Sequence, residues 1–270
     1  MPFNVVTPRA VETPVVVEVP HAGLAIDALA AASLASPVRA LGVDADLYVD
    51  ELYQDAPDCG ATLLVARISR YVCDLNRSEE DVDPLAASGG TAHSAPHGLI
   101  WRSTTEGHRA LLHPLSRAEL RRRVETYYRP YHACLQGLLD EKRRRFGVAI
   151  LVAGHSMPSR GRYGHIDTGQ ARADVVPGSR GRTSASAEII ETPERIAKAR
   201  GWTVSHDNPY RGGFTTAHYG RPREGQHAVQ VELARRLYMD EETLEKKPGR
   251  FEETRAYCRE LVAALGALRL

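Results

Sequence analysis

Long apolar runs are missing from this chain. No stretch approaches the roughly 20 apolar residues that a membrane-spanning helix needs. The opening segment, MPFNVVTPRAVETP, holds no apolar core of the kind found in a signal peptide. Cysteine is scarce. Cys59, Cys73, Cys134 and Cys258 are scattered without CxxC spacing, and they read as reduced thiols of a cytoplasmic protein, mostly small core residues. A charge excess is absent as well: the formal net charge is +1, so no global field recruits nucleic acid or an anionic membrane. The basic runs at 121–123 and 142–145 lie on helical patterns with no interleaved aromatic residues, as solvated helix faces do. There is no internal repeat, no linker that would separate two domains, and no HExxH.

What the chain does hold is a set of short apolar runs that end in, or carry, polar residues. Residues 149–153, within GVAILVAGHSMPS at 147–159, are rich in Val, Ile and Leu and are bounded by glycine, as in a buried central strand. His155 follows. A side chain just past the carboxyl end of such a strand faces the crevice where open α/β sheets bind ligands. Residues 15–19, within PVVVEVP, lead to His21. Residues 61–69 (ATLLVARIS) lead to Arg70 and to DLNR at 74–77. Residues 227–233 (HAVQVEL) carry Glu232.

The segments between these runs read as their scaffold. Residues 24–41 predict one or two short helical pieces broken at Pro37. Asp44 is the expected N-cap of a helix over 44–53, with acidic residues in its first turn. Residues 71–75 and 99–101 predict short extended runs, and 78–97 a long polar loop. Residues 116–146 are strongly helical, with a capping box at Ser116 and Glu119 and a break or kink at Pro130. Residues 157–186 predict a loop with one strand at 173–176. A helix over 192–200 follows, with Pro193 at its first position, then a strand at 202–205. A glycine-rich loop over 207–223 and a closing helix over 252–268 complete the chain. The alternation predicts a single domain, 1–270, built as a three-layer α/β/α sandwich on a mixed central sheet.

Zn²⁺ favours imidazole and carboxylate donors, and a catalytic site uses three protein ligands. His21 and His155, each at a strand end, are the expected first two. One of Asp44, Asp46 and Asp50 is the expected third; Asp46 is the choice taken. Arg70, Arg77 and Arg211 are candidates for carboxylate recognition, since guanidinium pairs bidentately with carboxylate. Asn76 adds a directed amide contact, and the glycines beside Arg211 allow close backbone approach to a ligand. Glu232 lies within an apolar run, where a carboxylate needs a partner or a shifted pKa. It is the candidate general base, with Arg70 assigned beside it as catalytic. His132, His218 and His227 read as structural histidines.

PHAG at 20–23, DADLYVDELY at 44–53, SRYVCDLNR at 69–77, GHSM at 154–157, NPYRGGFTTAHYG at 208–220 and HAVQVELARRLYM at 227–239 together resemble the N-formylglutamate amidohydrolase family. The blocks run in the same order across nearly the whole chain. The resemblance implies a phosphorylase/hydrolase-like fold related to zinc carboxypeptidases. It implies hydrolysis of N-formyl-L-glutamate to formate and glutamate, late in histidine breakdown. By that analogy Asn76 and Arg77 look like a carboxylate-binding pair, His21 and His155 like zinc ligands, and Glu232 like the catalytic glutamate. The carboxypeptidase pattern has a glutamate three residues after its first histidine, where this chain has Leu24; the acidic segment 44–50 therefore supplies the third ligand. The reading is a zinc-dependent hydrolase of a small N-acyl amino acid. The alternatives are a non-catalytic binder of acidic amino acids on the same scaffold and a carboxypeptidase-like peptidase.

Overall fold

The computed structural model describes residues 2–90, 96–162, 165 and 167–270. Among these residues, six strands form one sheet: β1 (Phe3–Val6), β2 (Val15–Val19), β3 (Thr62–Ala66), β4 (Ala149–Met157), β5 (Val175–Gly178) and β6 (Gln226–Ala234). Their spatial order is β1-β3-β2-β4-β6-β5. The four inner strands are parallel, and β1 and β5 close the edges antiparallel. Every residue of β2, β4 and β6 is buried, as expected of parallel strands covered on both faces.

Among the described residues, eight α-helices surround the sheet: α1 (Ala28–Ala31), α2 (Val38–Asp44), α3 (Val49–Leu52), α4 (Arg117–Arg123), α5 (Arg129–Phe146), α6 (Ala187–Ala199), α7 (Phe214–Tyr219) and α8 (Arg250–Gly266). Strand alternation divides the core in two. Val17, Val152 and Val231 pack with Ile189 of α6 and Leu261 of α8. Val16, Leu151 and Ala228 pack on the other face with Tyr131, Leu135 and Leu139 of α5. The result is the three-layer α/β/α arrangement on a mixed sheet.

Several local expectations are corrected. Asp44 is not an N-cap: it ends α2, is buried, and accepts hydrogen bonds from the Tyr71 hydroxyl and from Thr105. The helix after it is only α3, capped by Tyr48 in a left-handed conformation. Ser116 does cap α4, accepting from Glu119 N at 3.1 Å, but Glu119 turns its carboxylate to Arg122 and Arg123 instead of completing a box. A π-helical turn, Val124–Tyr128, directly precedes α5, whose first turn holds Pro130. α6 starts at Ala187, so Pro193 is interior to it; the buried stripe of Ile189, Ile190, Pro193 and Ile196 outweighs the missing N–H. Residues 71–75 and 99–101 form turns, with a lone bridge between His97 and Trp101. Residues 202–205 contribute one bridge, Val175 to Val204. The loop over 207–223 contains α7 and the 3₁₀ turn Pro222–Glu224. β1 lay outside the predicted strands, being short and half exposed. Within the predicted loops, residues 91–95, 163, 164 and 166 lie outside the described residues.

Candidate active site

β2 has β3 on one side and β4 on the other. The chain therefore reverses its direction of winding at β2, and the crevice at such a switch point lies outside the carboxyl ends of the strands. His21 follows β2 directly after Pro20. β4 runs farther than its apolar run implied, to Met157, so His155 stands within the strand and pairs in register with Glu232 of β6. The sheet face that is apolar at Leu151 and Ala228 thus turns polar within two strand periods, at Gln230 and then at His155 and Glu232.

His21, Asp46 and His155 meet in this crevice. Each is buried, and one ligand atom from each lies within 4.8 Å of the others. His155 Nδ1 is 2.9 Å from Asp46 Oδ2, and His21 Nδ1 is 3.5 Å from the same oxygen. His21 Nε2 pairs with Asp74 Oδ1 at 2.7 Å, which fixes the ring and directs Nδ1 at the cluster. Two imidazoles and a carboxylate, buried and converging, with a second carboxylate behind one ring, form a donor set that fits a catalytic divalent metal. Burial alone pushes the Asp46 carboxyl upward. The hydrogen bonds and charges of His155 and His21 outweigh burial and hold it below the usual carboxylate range. Of the alternative ligands, Asp44 is taken by Tyr71 and Thr105, and Asp50 is outside this cluster.

Glu232 is almost fully buried, and burial pushes its carboxyl up to about 7; His155 pulls it down, and Asp46 pushes it up again. Gln230 Nε2 donates to Glu232 Oε1 at 2.9 Å. Gln230 Oε1 in turn accepts from Gly213 N at 2.8 Å and from Asn76 Nδ2 at 3.4 Å. Asn76 also meets His155 Nε2 at 3.2 Å and accepts from Thr215 N at 3.0 Å. Its amide is thus built into the wall. The glycines after Arg211 admit this wall and line the cavity: a Cβ at Gly213 would lie 2.3 Å from Asn76 Nδ2.

The cluster opens into a cavity of about 580 Å³ lined by Arg70, Arg77 and Arg211 as well as by Glu232 and Asn76. The structure therefore brings every predicted site residue to one cavity. Arg70 is held by Asp74, with Nη2 to Oδ2 at 2.9 Å, and stacks 4.3 Å above the Trp101 ring. Its Nη1 reaches within 4.0 Å of Asp46. Arg77 donates from Nε to the His97 carbonyl at 2.7 Å and from Nη1 to the Asn76 carbonyl at 2.9 Å. His132, His218 and His227 line other parts of the molecule; His132, for example, bridges the Tyr219 hydroxyl and the Leu75 carbonyl.

Comparison with known proteins decides the family. The profile described as N-formylglutamate amidohydrolase matches residues 13–239. An N-formylglutamate deformylase of Pseudomonas putida is 35% identical over 84% of this chain and 82% of its own length. One from Pseudomonas aeruginosa is 32% identical over 93% and 92%. The chain belongs to the N-formylglutamate amidohydrolase family. The crystal structure of an N-formylglutamate amidohydrolase from Ralstonia eutropha JMP134 superimposes with a TM-score of 0.89 at 32% identity, covering 98% of this chain and 97% of that one. A gene product of Agrobacterium tumefaciens shares the fold at a TM-score of 0.70 and 21% identity, over 97% and 94% of the two chains.

In this N-formylglutamate amidohydrolase family member, two buried residues escaped the sequence reading. Asp74, the first residue of DLNR, joins His21 to Arg70; the motif itself was the available signal. Arg235 donates to the carbonyls of Val43 and Ala45, at 2.5 and 2.6 Å, and so fixes the turn that carries Asp46. An arginine immediately after a strand, within the block at 227–239, was its trace in the sequence.

Proposed function

We propose that this protein is a zinc-dependent hydrolase that cleaves N-formyl-L-glutamate and water to formate and L-glutamate. The observation that carries the reading is the His21–Asp46–His155 cluster with Glu232 beside it, in a chain whose relatives are named N-formylglutamate deformylase. These three residues would hold the ion. When bound, zinc supplies Lewis-acid activation that brings the pKa of water to about 7.

The chain's own residues supply the rest. Glu232 takes the proton of the attacking water and passes it to the leaving nitrogen; a carboxyl near 7 is suited to both transfers at neutral pH. Arg70, anchored by Asp74 at the edge of the cluster, faces the negative charge that develops on the amide oxygen. Asn76 shapes the floor beside Glu232, and Arg77 and Arg211 meet the carboxylates of the substrate. Such a reaction belongs late in histidine breakdown, in the cytoplasm, where the four free cysteines stay reduced.

The test is formate release from N-formyl-L-glutamate by the purified protein, before and after chelation, with the metal content measured by mass spectrometry. Turnover that chelation abolishes and zinc restores is the expected result. Absence of formate release overturns the hydrolase reading, and full activity in a metal-free preparation overturns the zinc site.

A further inference from the structure

The cavity is lined by seven arginines and four carboxylates, an excess of cationic groups that the zinc cluster does not use. Most are already engaged. Arg70 is paired with Asp74, Arg162 with Asp44 and Arg172 with Asp167, while Arg235 is spent on main-chain carbonyls. Among the described residues, Arg77, Arg180 and Arg211 have no carboxylate partner. Arg77 has two of its nitrogens committed to carbonyls. Arg180 and Arg211 are left, and they stand side by side. Arg180 N donates to the Arg211 carbonyl at 2.8 Å, and Arg180 Nη1 to the Gly212 carbonyl at 3.2 Å. A Cβ at Gly181 would lie 3.4 Å from Arg211 Nη2, so the second guanidinium lies over the backbone next to the first.

The backbone under Arg180 is unusual. Arg180 and Arg182 both adopt left-handed conformations, with φ of 57° and 62°, and Gly181 between them has φ 76°. Glycine or asparagine would take such positions at lower cost than arginine. The turn is held by dedicated bonds. Asp207 accepts from Ser179 N at 2.7 Å and from Gly181 N at 2.6 Å, and Ser179 Oγ accepts from Arg182 N at 3.0 Å. Arg182 is paired outward with Glu191. Arg180 has no packing role that explains its presence, for its side chain is exposed at the cavity wall. Strained non-glycine residues that the surroundings over-determine mark sites where the side chain has a use. The same wall leads to the reaction centre: Gly213, two residues after Arg211, donates to Gln230, which holds Glu232.

We propose that Arg180, beside Arg211, is the specificity-determining residue that binds the side-chain carboxylate of the acidic amino acid. This rests on the hydrolase reading and deepens it by assigning the residue that selects the side-chain carboxylate of its substrate. Two adjacent guanidiniums with free N–H groups match one carboxylate, and Arg77 remains for the other.

The experiment compares N-formyl-L-glutamate with its neutral isostere N-formyl-L-glutamine, on the wild type and on Arg180→Gln. The wild type should prefer the glutamate substrate. Arg180→Gln should lose about 30-fold or more in kcat/KM on N-formyl-L-glutamate, as when one partner of a charge pair is removed, and far less on N-formyl-L-glutamine. Equal losses on both substrates, or no loss on either, overturn the assignment. Calorimetric binding of L-glutamate separates this from failure of the hydrolase reading. If the wild type hydrolyses neither substrate but binds L-glutamate, and Arg180→Gln weakens that binding at least 10-fold, the subsite stands and the reaction falls. If L-glutamate does not bind, or binds both proteins alike, the subsite falls with it.

Discussion

On the proposed mechanism, Glu232 is the residue on which binding and chemistry separate. It sits on a buried strand, bonded by Gln230 and level with His155 in the adjoining strand. Desolvation raises its carboxyl to about 7, far above a free glutamate. A group so placed can act as a base only while it keeps its second oxygen. Glu232→Gln preserves shape and the Gln230 contact but removes basicity. Its kcat should fall roughly 10²–10⁴-fold while metal content and KM stay near the wild-type values. Steady-state kinetics with metal analysis decide it; a near-normal kcat moves the base elsewhere.

At the scale of elements, β4 carries the site and packs without slack. A Cβ on Gly154, next to His155, would lie 2.6 Å from the ring of the buried Tyr53. Gly154→Ala should therefore cost about 1–3 kcal/mol through overpacking, read as a lower urea midpoint. An unchanged midpoint would mean that the Tyr53 ring yields freely. α1 tests charge instead of packing. Asp27 caps it, accepting from Leu29 N and Ala30 N at 3.0 Å, and also takes Arg122 Nη2 at 3.1 Å and the Tyr127 hydroxyl at 2.6 Å. Burial raises its pKa, but the bonds from Tyr127, Ala30 and Arg122 prevail and hold it below the ordinary value. Its folded pKa is thus lower than its unfolded one of about 3.9, so its stabilisation is present above that pH and lost as pH falls through the folded value. Asp27→Asn keeps a competent cap and loses the charge. It should be roughly 1 kcal/mol less stable than wild type at pH 7, with the gap closing below about pH 4. Denaturation curves at both pH values test this; a gap independent of pH would assign it to shape.

For the molecule as a whole, a metal held at the cluster would join three parts of the chain: the end of β2 at His21, the α2–α3 turn at Asp46, and β4 at His155. A ligand that binds only the folded state adds about 2.7 kcal/mol at 100 times its Kd. For a chain of this size that corresponds to roughly 5–10 °C in Tm. Chelation should lower Tm by that amount in calorimetry, and zinc should restore it; an identical Tm with and without chelator argues against a bridging ion.

The layered α/β architecture was legible because its signal is local. Val15–Val19 and Gln226–Ala234 are short runs rich in valine, bounded by or carrying polar residues, as strands that end at a crevice are. The placement of His21, His155 and Glu232 towards the carboxyl ends of the strands was legible for the same reason, and the ordered motif blocks identified the family. The sequence favoured Asp46 but left Asp44 and Asp50 open beside it, and only tertiary contacts separate them. Both lie in one acidic stretch, and they part only because Tyr71 and Thr105 arrive to take Asp44 while the two histidines converge on Asp46. Arg180 was invisible for a related reason: in sequence it is one arginine among many. Its lack of a carboxylate partner and its left-handed turn exist only once Asp207 has folded back onto Ser179 and Gly181. Period and composition act along the chain and are written in it. Which charges remain unpaired is settled by contacts between residues far apart in sequence, and those form only when the chain is packed.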